Sequence, residues 1–304
     1  MNEGRMEIRP FFFGKIFFMV YYSLYCGMKT VFFTTPKPFN DANLIRQTNT
    51  LNSLSALNTE KEVVLFGDDD DAIAQGLCSE LGVTFISEFR RGPGGKVPYI
   101  NDIFQRAQNY VDADYYCYIN ADMVLLNDFV EAMNFIDSEL MPHHREKKFF
   151  GCGCRWDTDS LDSLIDFKQS SDEEVRSRVK KGKLHAPCGI DYFIYQKGAF
   201  IDMPDFLIAR QSFDCAITGY AIKKEHILEV DLTQAVFAIH QNHNYGDEDE
   251  FGSREQYEGR VATEVQSNKD CCGGDWDVGG GRIDGCANYV ERSKASPRFI
   301  FKKK

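Results

Sequence analysis

The segment Asp114-Tyr-Tyr-Cys-Tyr-Ile-Asn-Ala-Asp122 decides the fold of this chain. An apolar, aromatic run of strand type stops at Asn120 and Asp122, and the next residues, Met-Val-Leu-Leu, are apolar again. In open α/β sheets, ligands bind beyond the carboxyl ends of the strands, so these two polar side chains are expected at a binding edge. Asp122 offers a hard oxygen that suits Mg²⁺ or Mn²⁺, which commonly bridge carboxylates to phosphates. The alternative is a strand that simply ends in an Asx turn.

Strand and helix patterns alternate on both sides of this segment. Before it, strand patterns cover 29–35, 62–66 and 83–87, and helical patterns cover 40–57, 72–81 and 99–111. After it, strand patterns cover 149–156, 189–195 and 236–240, and helical patterns cover 161–181 and 213–224. This alternation predicts an α/β fold with a mixed, mostly parallel central sheet flanked by helices. We expect one domain over 29–246, a hydrophobic segment over 1–28, and a Gly-rich, charged tail over 247–304.

Composition narrows the class of protein. A length of 304 residues suffices for one large α/β domain or two small ones. The net charge of −11 argues against nucleic acid as a partner, because phosphate binding needs a basic face. The spacing of the ten cysteines fits neither a zinc site nor a disulfide framework, which favours a reducing compartment.

An apolar stretch runs from Phe11 to Met28. It is slightly shorter than the roughly 20 residues that a membrane-spanning helix needs. Three interpretations remain open: a membrane anchor, an extension upstream of a natural start at Met28, and a buried N-terminal element. The expected location is correspondingly cytoplasmic or membrane-associated, with possible membrane contact through residues 11–28.

Polar side chains follow the ends of the first two predicted strands. The candidate ligand contacts there are Thr34, Thr35, Lys37, Asp68 and Asp69. Parallel strands share their carboxyl ends, so both loops are expected beside Asn120 and Asp122. An aspartate at this place can hydrogen-bond a ribose or a base. The alternative is that Asp69 to Asp71 cap the next helix and complement its dipole, which leaves Asp68 as the preferred ligand contact.

Three cations lie in a loop rich in Gly and Pro that precedes the predicted helix over 99–111. They are Arg90, Arg91 and Lys96. In an acidic protein, cations beside a Gly-rich turn suit a diphosphate. The alternative is an exposed, solvated loop. Gly94-Gly95 has the spacing of neither the Walker nor the dinucleotide motif.

Later motifs add candidate ligands and acids. His240-Gln-Asn-His243 ends a strand-like run, and one imidazole joining Asp122 on a divalent cation is chemically reasonable. Asp191 opens an apolar run, and Asp214 begins an amphipathic helix shortly after Arg210. The histidines have a structural alternative, and a carboxylate at a helix start commonly caps the helix. A functional Asp214 is a general base that takes a proton from an attacking hydroxyl.

Together these motifs resemble the GT-A class of nucleotide-sugar glycosyltransferases, and more narrowly its family-2-type proteins. The resemblance covers roughly 29–246. The matching segments are Thr35-Pro-Lys-Pro-Phe39, Tyr118-Ile-Asn-Ala-Asp122, Arg155-Trp-Asp157, Gly189-Ile-Asp-Tyr-Phe193, Arg210 with Asp214, and Ala238-Ile-His-Gln-Asn-His-Asn-Tyr245.

The resemblance implies a GT-A-like, Rossmann-related domain that moves a sugar from a nucleoside-diphosphate sugar to a hydroxyl of a glycan, glycolipid or other acceptor. It implies Mn²⁺ or Mg²⁺ at Asp122, a closing ligand from His240 or His243, and Asp214 at the position of the base in inverting members. We expect Lys96 or Arg210 to stabilise charge on the leaving phosphate. One departure matters: the usual first aspartate of the metal motif is an asparagine here, which removes a negative charge and lowers the expected metal affinity.

Two other functions remain open. A sugar nucleotidyltransferase shares the sheet and the metal chemistry, but it ordinarily carries a Gly-rich, Arg/Lys-bearing signature near the first strand, and 34–40 shows none. A non-catalytic protein that binds nucleotide sugars or glycans is the other alternative. Donor binding without donor hydrolysis or transfer distinguishes it from an enzyme.

Overall fold

The computed structural model describes residues 28–92, 95, 97–208, 210, 213–243, 262–268, 283–294 and 299–304. The predicted hydrophobic segment therefore lies outside the described residues, except for Met28, which is buried beside the first strand. Within the described ranges, no helix has the length and apolar character needed to cross a membrane.

The described residues form thirteen strands in two sheets. They are β1 (Lys29–Thr34), β2 (Glu60–Phe66), β3 (Thr84–Ile86), β4 (Tyr115–Ile119), β5 (Met123–Val124), β6 (Lys148–Cys154), β7 (Trp156–Thr158), β8 (Lys183–Leu184), β9 (Ile190–Gln196), β10 (Ile227–Gln234), β11 (Ile239–Gln241), β12 (Asn288–Arg292) and β13 (Phe299–Lys303). The helices are α1 (Asp41–Ala56), α2 (Ala72–Leu81), α3 (Ile100–Tyr110), α4 (Asn127–Phe135), α5 (Asp172–Arg178), α6 (Phe213–Ile222) and a helical segment over 262–268, here α7.

The central sheet has nine strands in the order β13-β12-β10-β6-β9-β4-β1-β2-β3. Strands β3, β2, β1 and β4 are parallel to one another, as are β6, β10 and β12. Strand β9 lies between these blocks and is antiparallel to both of its neighbours. The predicted α/β domain, with a mixed, mostly parallel sheet flanked by helices, is confirmed.

Apolar side chains cover both faces of the sheet because successive residues of a strand point to opposite sides. On β1, Phe32 faces the layer of α1, α2 and α4, where its ring centroid lies 5.6 Å from that of Phe129. Phe33 faces the layer of α3 and α6, with its ring 5.3 Å from Phe104. Burying each such ring contributes about 1.5–3 kcal/mol, so the continuous apolar run of β1 specifies a central strand.

A smaller sheet, in the order β5-β11-β7-β8, stands beside the carboxyl end of β4. Strand β11 is antiparallel to β5 and parallel to β7. His240 of β11 is thereby opposite Met123 on one side and Asp157 on the other. This sheet aligns the candidate metal ligands.

Helical structure in the region 161–181 is shorter than the sequence pattern predicts. Helix α5 begins only after Ser171, whose side chain forms a capping box with Glu174. Before it, Leu161 and Ile165 pack in a small core without forming a helix, and the backbone N–H of Ile165 donates to Asn49 Oδ1 at 2.9 Å. The N–H of Ile165 therefore hydrogen-bonds a side chain of α1 rather than a carbonyl of the preceding turn, as it would in a helix.

The sequence pattern did not predict β10. It predicted that the next strand begins at 236, whereas β11 begins at Ile239. Part of the predicted tail also belongs to the sheet. Strand β12 is parallel to β10, and β13 is antiparallel to β12. The central sheet therefore continues beyond residue 246.

Candidate active site

Asp122, His240 and His243 lie together beyond the carboxyl end of β4. Nε2 of His243 is 3.1 Å from Oδ2 of Asp122, and Nε2 of His240 is 3.7 Å from the same oxygen. One ligand atom from each residue lies within 4.8 Å of the others. Among the residues that the structure describes, this is the group of His, Cys, Asp and Glu side chains with metal-site geometry.

Backbone hydrogen bonds hold this group in place. The N–H of Gln241 donates to the carbonyl of Asp122 at 3.0 Å, which joins β11 to the turn that carries the carboxylate. The hydroxyl of Thr50 on α1 donates to the carbonyl of Ala121 at 2.8 Å. The turn is therefore fixed from two sides before any ligand binds.

The carboxyl of Asp122 and the imidazole of His240 shift each other's pKa. Burial raises the pKa of the Asp122 carboxyl, but hydrogen bonds and charge attraction from both imidazoles outweigh it and hold that pKa well below its usual range. Burial lowers the pKa of His240, and the hydrogen bond and charge of Asp122 outweigh it, so the net pKa is raised.

The group fits a divalent cation. Oδ1 of Asp122 is buried and has no hydrogen-bond partner among the described residues, so a cation would satisfy it. A carboxylate oxygen with two imidazole nitrogens is a mixed hard and borderline donor set. This set suits Mn²⁺ better than Mg²⁺, which prefers oxygen ligands.

Asn120 connects this group to Asp191. Its Nδ2 donates to Oδ1 of Asp191 at 2.6 Å, and its Oδ1 accepts from the hydroxyl of Tyr118 at 3.1 Å. Nη1 of Arg155 donates to Oδ2 of Asp191 at 2.5 Å. Asp191 meets Asn120 because β9 is antiparallel to β4, so the start of one strand lies at the end of the other.

Asp214 lies in the first turn of α6 and is half-buried. Burial and then the charge of Asp191 raise the pKa of its carboxyl to about 7, against backbone hydrogen bonds from Cys215 and Ile190. A carboxyl that ionises near neutral pH is suited to general base catalysis. Both oxygens of Asp191 accept from side-chain donors, Asn120 and Arg155, whereas Asp214 has the raised pKa, so Asp214 is the better candidate for the base.

The residues after β1 differ in exposure. The hydroxyl of Thr35 is 3.4 Å from that of Tyr118, and the same Tyr118 hydroxyl donates to Asn120. The side chain of Thr34 is buried, and its hydroxyl has no partner within the described ranges. Lys37 is exposed.

The loops after β2 and β3 meet through an ion pair. Nη2 of Arg91 lies 2.6 Å from Oδ1 of Asp68, and the guanidinium stacks on Phe89 with its Cζ 4.0 Å from the ring centroid. Asp71 caps α2, accepting from the N–H of Ala74 at 2.9 Å. Asp69 is exposed. Lys96 lies outside the described residues.

Arg210 forms an ion pair with Glu264 of α7, and Glu264 is buried. Asn268 of the same segment exchanges side-chain hydrogen bonds with the backbone of Leu207. The segment 262–268 is therefore anchored next to Arg210. The roles assigned to Arg210 and to the other candidate residues stay predictions.

Arg155, Asp157 and Asn242 also lie at this site, and the sequence pattern alone predicted no role for them. Oδ1 of Asp157 lies 3.1 Å from Nδ1 of His240 and accepts from Nε of Arg155 at 2.9 Å. The sequence contains a signal for them. Arg155 and Asp157 flank the apolar Trp156 at a strand, where alternate residues share one face, so their side chains are expected on the same side.

No known family model matches this sequence, and a search of curated proteins finds no match. Solved structures do resemble the fold. Mannosyl-3-phosphoglycerate synthase from Rubrobacter xylanophilus matches with a TM-score of 0.43 and 17% identity, covering 90% of this chain and 85% of that one. S. aureus TarS 1-349, in complex with UDP-GlcNAc, matches with a TM-score of 0.44 and 12% identity, over 80% of this chain and 72% of that one.

Glucosyl-3-phosphoglycerate synthase from Mycobacterium tuberculosis, in complex with Mn²⁺, UDP-glucose and phosphoglyceric acid, matches with a TM-score of 0.41 and 10% identity. The match covers 82% of this chain and 80% of that one. The chain is thus an α/β domain with a candidate divalent-cation centre at Asp122, and a hydrogen bond from Asn120 joins the same turn to Asp191.

Proposed function

We propose that this protein is a glycosyltransferase that moves a sugar from a nucleoside-diphosphate sugar to a hydroxyl acceptor, with a divalent cation and with inversion. The observation that carries the proposal is that Asp122 lies with two imidazoles, while Asn120, two residues earlier, bonds Asp191, whose charge acts on the carboxyl of Asp214. The first group suits the metal that accompanies a diphosphate, and the second provides a base.

Asp122, His240 and His243 are the residues that would hold Mn²⁺ or Mg²⁺. Such a cation, when bound, neutralises negative charge on the diphosphate as it departs. The cationic side chains Lys37, Arg91, Lys96 and Arg210 are assigned to the same diphosphate, with Lys96 or Arg210 at the leaving phosphate.

The remaining donor contacts are assigned to polar groups at the same edge of the sheet. They are Thr34, Thr35, Asp68, Asp69 and Asn120. Asp68 suits the nucleoside part because it is exposed at the end of β2 and can accept hydrogen bonds from hydroxyls. Asn120 acts through Asp191, since its amide group already bonds Asp191 and Tyr118.

The reaction is a displacement at the anomeric carbon. The acceptor oxygen forms a bond to this carbon while the bond to the phosphate oxygen breaks, and that electron pair leaves with the nucleoside diphosphate. The proton of the acceptor hydroxyl passes to the carboxylate of Asp214. Attack from the side opposite to the leaving group inverts the configuration.

Asp191 supports this base. Its negative charge raises the pKa of Asp214, and Arg155 and Asn120 keep Asp191 itself fixed and hydrogen-bonded. Arg155 is largely buried, with 13% of its side chain exposed, so its charge is weakly screened by water. The acceptor class is a glycan, glycolipid or other hydroxyl compound, and membrane contact through residues 11–28 stays a sequence-based prediction.

The test uses the purified full chain and a panel of nucleoside-diphosphate sugars, with and without Mn²⁺. Thermal stabilisation identifies the donor, because a ligand that binds the folded state stabilises it. Release of nucleoside diphosphate then reports transfer or hydrolysis. Asp214→Asn should bind the donor as wild type does and lose turnover, whereas Asp162→Asn, an exposed loop carboxylate, should retain turnover.

Three outcomes contradict the proposal at different points. A variant Asp214→Asn with full turnover removes the base assignment. Donor binding without any turnover in the presence of acceptors favours a non-catalytic binding protein. Formation of a nucleotide sugar from a sugar phosphate and a nucleoside triphosphate identifies a nucleotidyltransferase instead.

A further inference from the structure

The ring of His240 has two hydrogen-bond acceptors at Nδ1. Oδ1 of Asp157 lies 3.1 Å away, and Oδ1 of Asn242 lies 3.0 Å away. An ionised carboxylate can only accept a hydrogen bond. The amide of Asn242 is oriented by its other end, because its Nδ2 donates to Oδ1 of Asp159 at 2.8 Å. Its oxygen therefore faces the imidazole.

Two acceptors at one ring nitrogen require a hydrogen on that nitrogen. A neutral imidazole carries one N–H, so a hydrogen on Nδ1 leaves the lone pair of His240 on Nε2. Nε2 is the atom that faces Asp122, 3.7 Å from its Oδ2. The lone pair thus points to the place where a cation would bind.

The ring has no freedom to exchange its two nitrogens. His240 is 1% exposed and lies in the middle of β11, directly opposite Asp157 of β7. The N–H of Asn242 donates to the carbonyl of Thr158 at 2.8 Å, which continues the pairing past the end of the strand.

Asp157 is held in turn by Arg155. Nε of Arg155 donates to Oδ1 of Asp157 at 2.9 Å, and Nη1 of the same guanidinium donates to Asp191. One cation therefore fixes the carboxylate that orients His240 and the carboxylate next to Asp214. Arg155 therefore joins the partner of His240 to the partner of Asn120.

We propose that Asp157, assisted by Asn242, is a positioning residue that holds His240 in its Nδ1–H form and presents Nε2 to the divalent cation. This inference rests on the proposed function only in needing a cation at Asp122. Carboxylates that accept from the distal N–H of a ligand histidine orient the ring and raise its basicity. Asp157 does not touch the cation or the substrate.

The first test is a titration of the full-length protein with Mn²⁺ alone. The electron paramagnetic resonance signal of the free ion measures how much Mn²⁺ is bound. Asp157→Ala should weaken Mn²⁺ binding by about 10–100-fold, the range found when such an outer partner is removed. The matched control is Asp162→Ala, which removes the same charge from the loop after β7 at an exposed position. It should bind Mn²⁺ as wild type does.

The second test observes the tautomer directly in the wild-type protein, so its main result does not depend on whether Asp157→Ala folds. Long-range ¹H–¹⁵N correlation spectra of metal-free wild type, recorded above the titration of His240, should show its Nδ1–H form. The signal is assigned by its loss in His240→Gln. In Asp157→Ala, an Nε2–H population should appear.

The outcomes separate the two proposals. Wild type without Mn²⁺ binding overturns the metal centre and, with it, the presentation of Nε2 to a cation. Wild type that binds Mn²⁺ while Asp157→Ala binds equally well overturns only the role of Asp157. An Nε2–H form in the wild-type spectrum also overturns that role, whether or not the variant folds.

Discussion

Nε2 of His243 lies 3.1 Å from Oδ2 of Asp122, although 121 positions separate the two residues along the chain. Their contact depends on the pairing of β11 with β5, which begins one residue after Asp122. The candidate metal centre is thus assembled by a short sheet that no local pattern of the sequence encodes.

Replacement of Asp122 tests the metal centre. Asp122→Asn removes the negative charge of a direct metal ligand. Loss of a residue that only hydrogen-bonds a ligand weakens metal binding by at most roughly 100-fold, so Asp122→Asn should weaken Mn²⁺ binding by more than that. Isothermal titration of Mn²⁺ into the two proteins measures the difference. Equal affinities in wild type and variant would place the cation elsewhere.

Asn120→Asp tests why this position lacks the aspartate common to the resembling family. The amide of Asn120 donates to Asp191 at 2.6 Å, and a second carboxylate cannot donate while ionised. The substitution should lower the free energy of unfolding by about 1.5–3 kcal/mol, the contribution of a hydrogen bond to a charged group. Urea unfolding measures it, and an unchanged or increased stability would contradict the explanation.

The reaction rate should depend on the ionisation of Asp214. The pKa of this carboxyl is about 7, and a general base works only when it is ionised. We expect kcat/KM for the donor to rise as the pH increases through about 7 and then to level off. A profile measured at saturating Mn²⁺ that stays flat between pH 5 and pH 8 would contradict a general base with a pKa of about 7.

Stability should show the opposite dependence on pH. Burial first, and then the charge of Asp191, raise the pKa of Asp214 from 3.8 to about 7, so the folded protein binds the proton more tightly than the unfolded chain. This contribution to stability is complete below 3.8 and is lost as the pH rises through about 7. Asp214→Asn should therefore gain stability relative to wild type across that interval. Denaturant unfolding at several pH values measures the difference, and a constant difference would show that the pKa is not raised.

Arg91 should matter for the donor and little for the fold. Its ion pair with Asp68 is partly exposed, and such pairs contribute about 0–1 kcal/mol to stability. Arg91→Ala should weaken donor binding by roughly 10–100-fold, which corresponds to a lost charged hydrogen bond. Arg106→Ala is the matched control, because Arg106 lies on α3 and its guanidinium pairs with Asp102 instead. Calorimetric titrations compare the donor affinities of the two variants. Equal losses of affinity would show that the effect comes from the change in net charge.

Several elements were predictable from sequence because their signals are local. The run from Tyr115 to Ile119 is apolar and aromatic, and it is a buried strand. Helix α2 begins after a capping Asp71 and ends before Gly82, whose φ of 69° suits a residue without a side chain. Asp122 could be singled out for the same reason, since a polar residue directly after a buried strand is visible in the sequence.

The sequence by itself therefore determined most strands and helices of the first half of the chain, and which polar side chains stand at the strand ends, but it did not determine β10, β12 or β13. Tertiary structure alone decided that β9 runs antiparallel to β4, which brings Asp191 to Asn120, and that β11 aligns His240 with Asp157. The physical reason is that the apolar pattern of a strand is the same in both directions and does not specify which strand lies beside it. Direction and register are set by the pairing of distant strands and by the packing of both sheet faces.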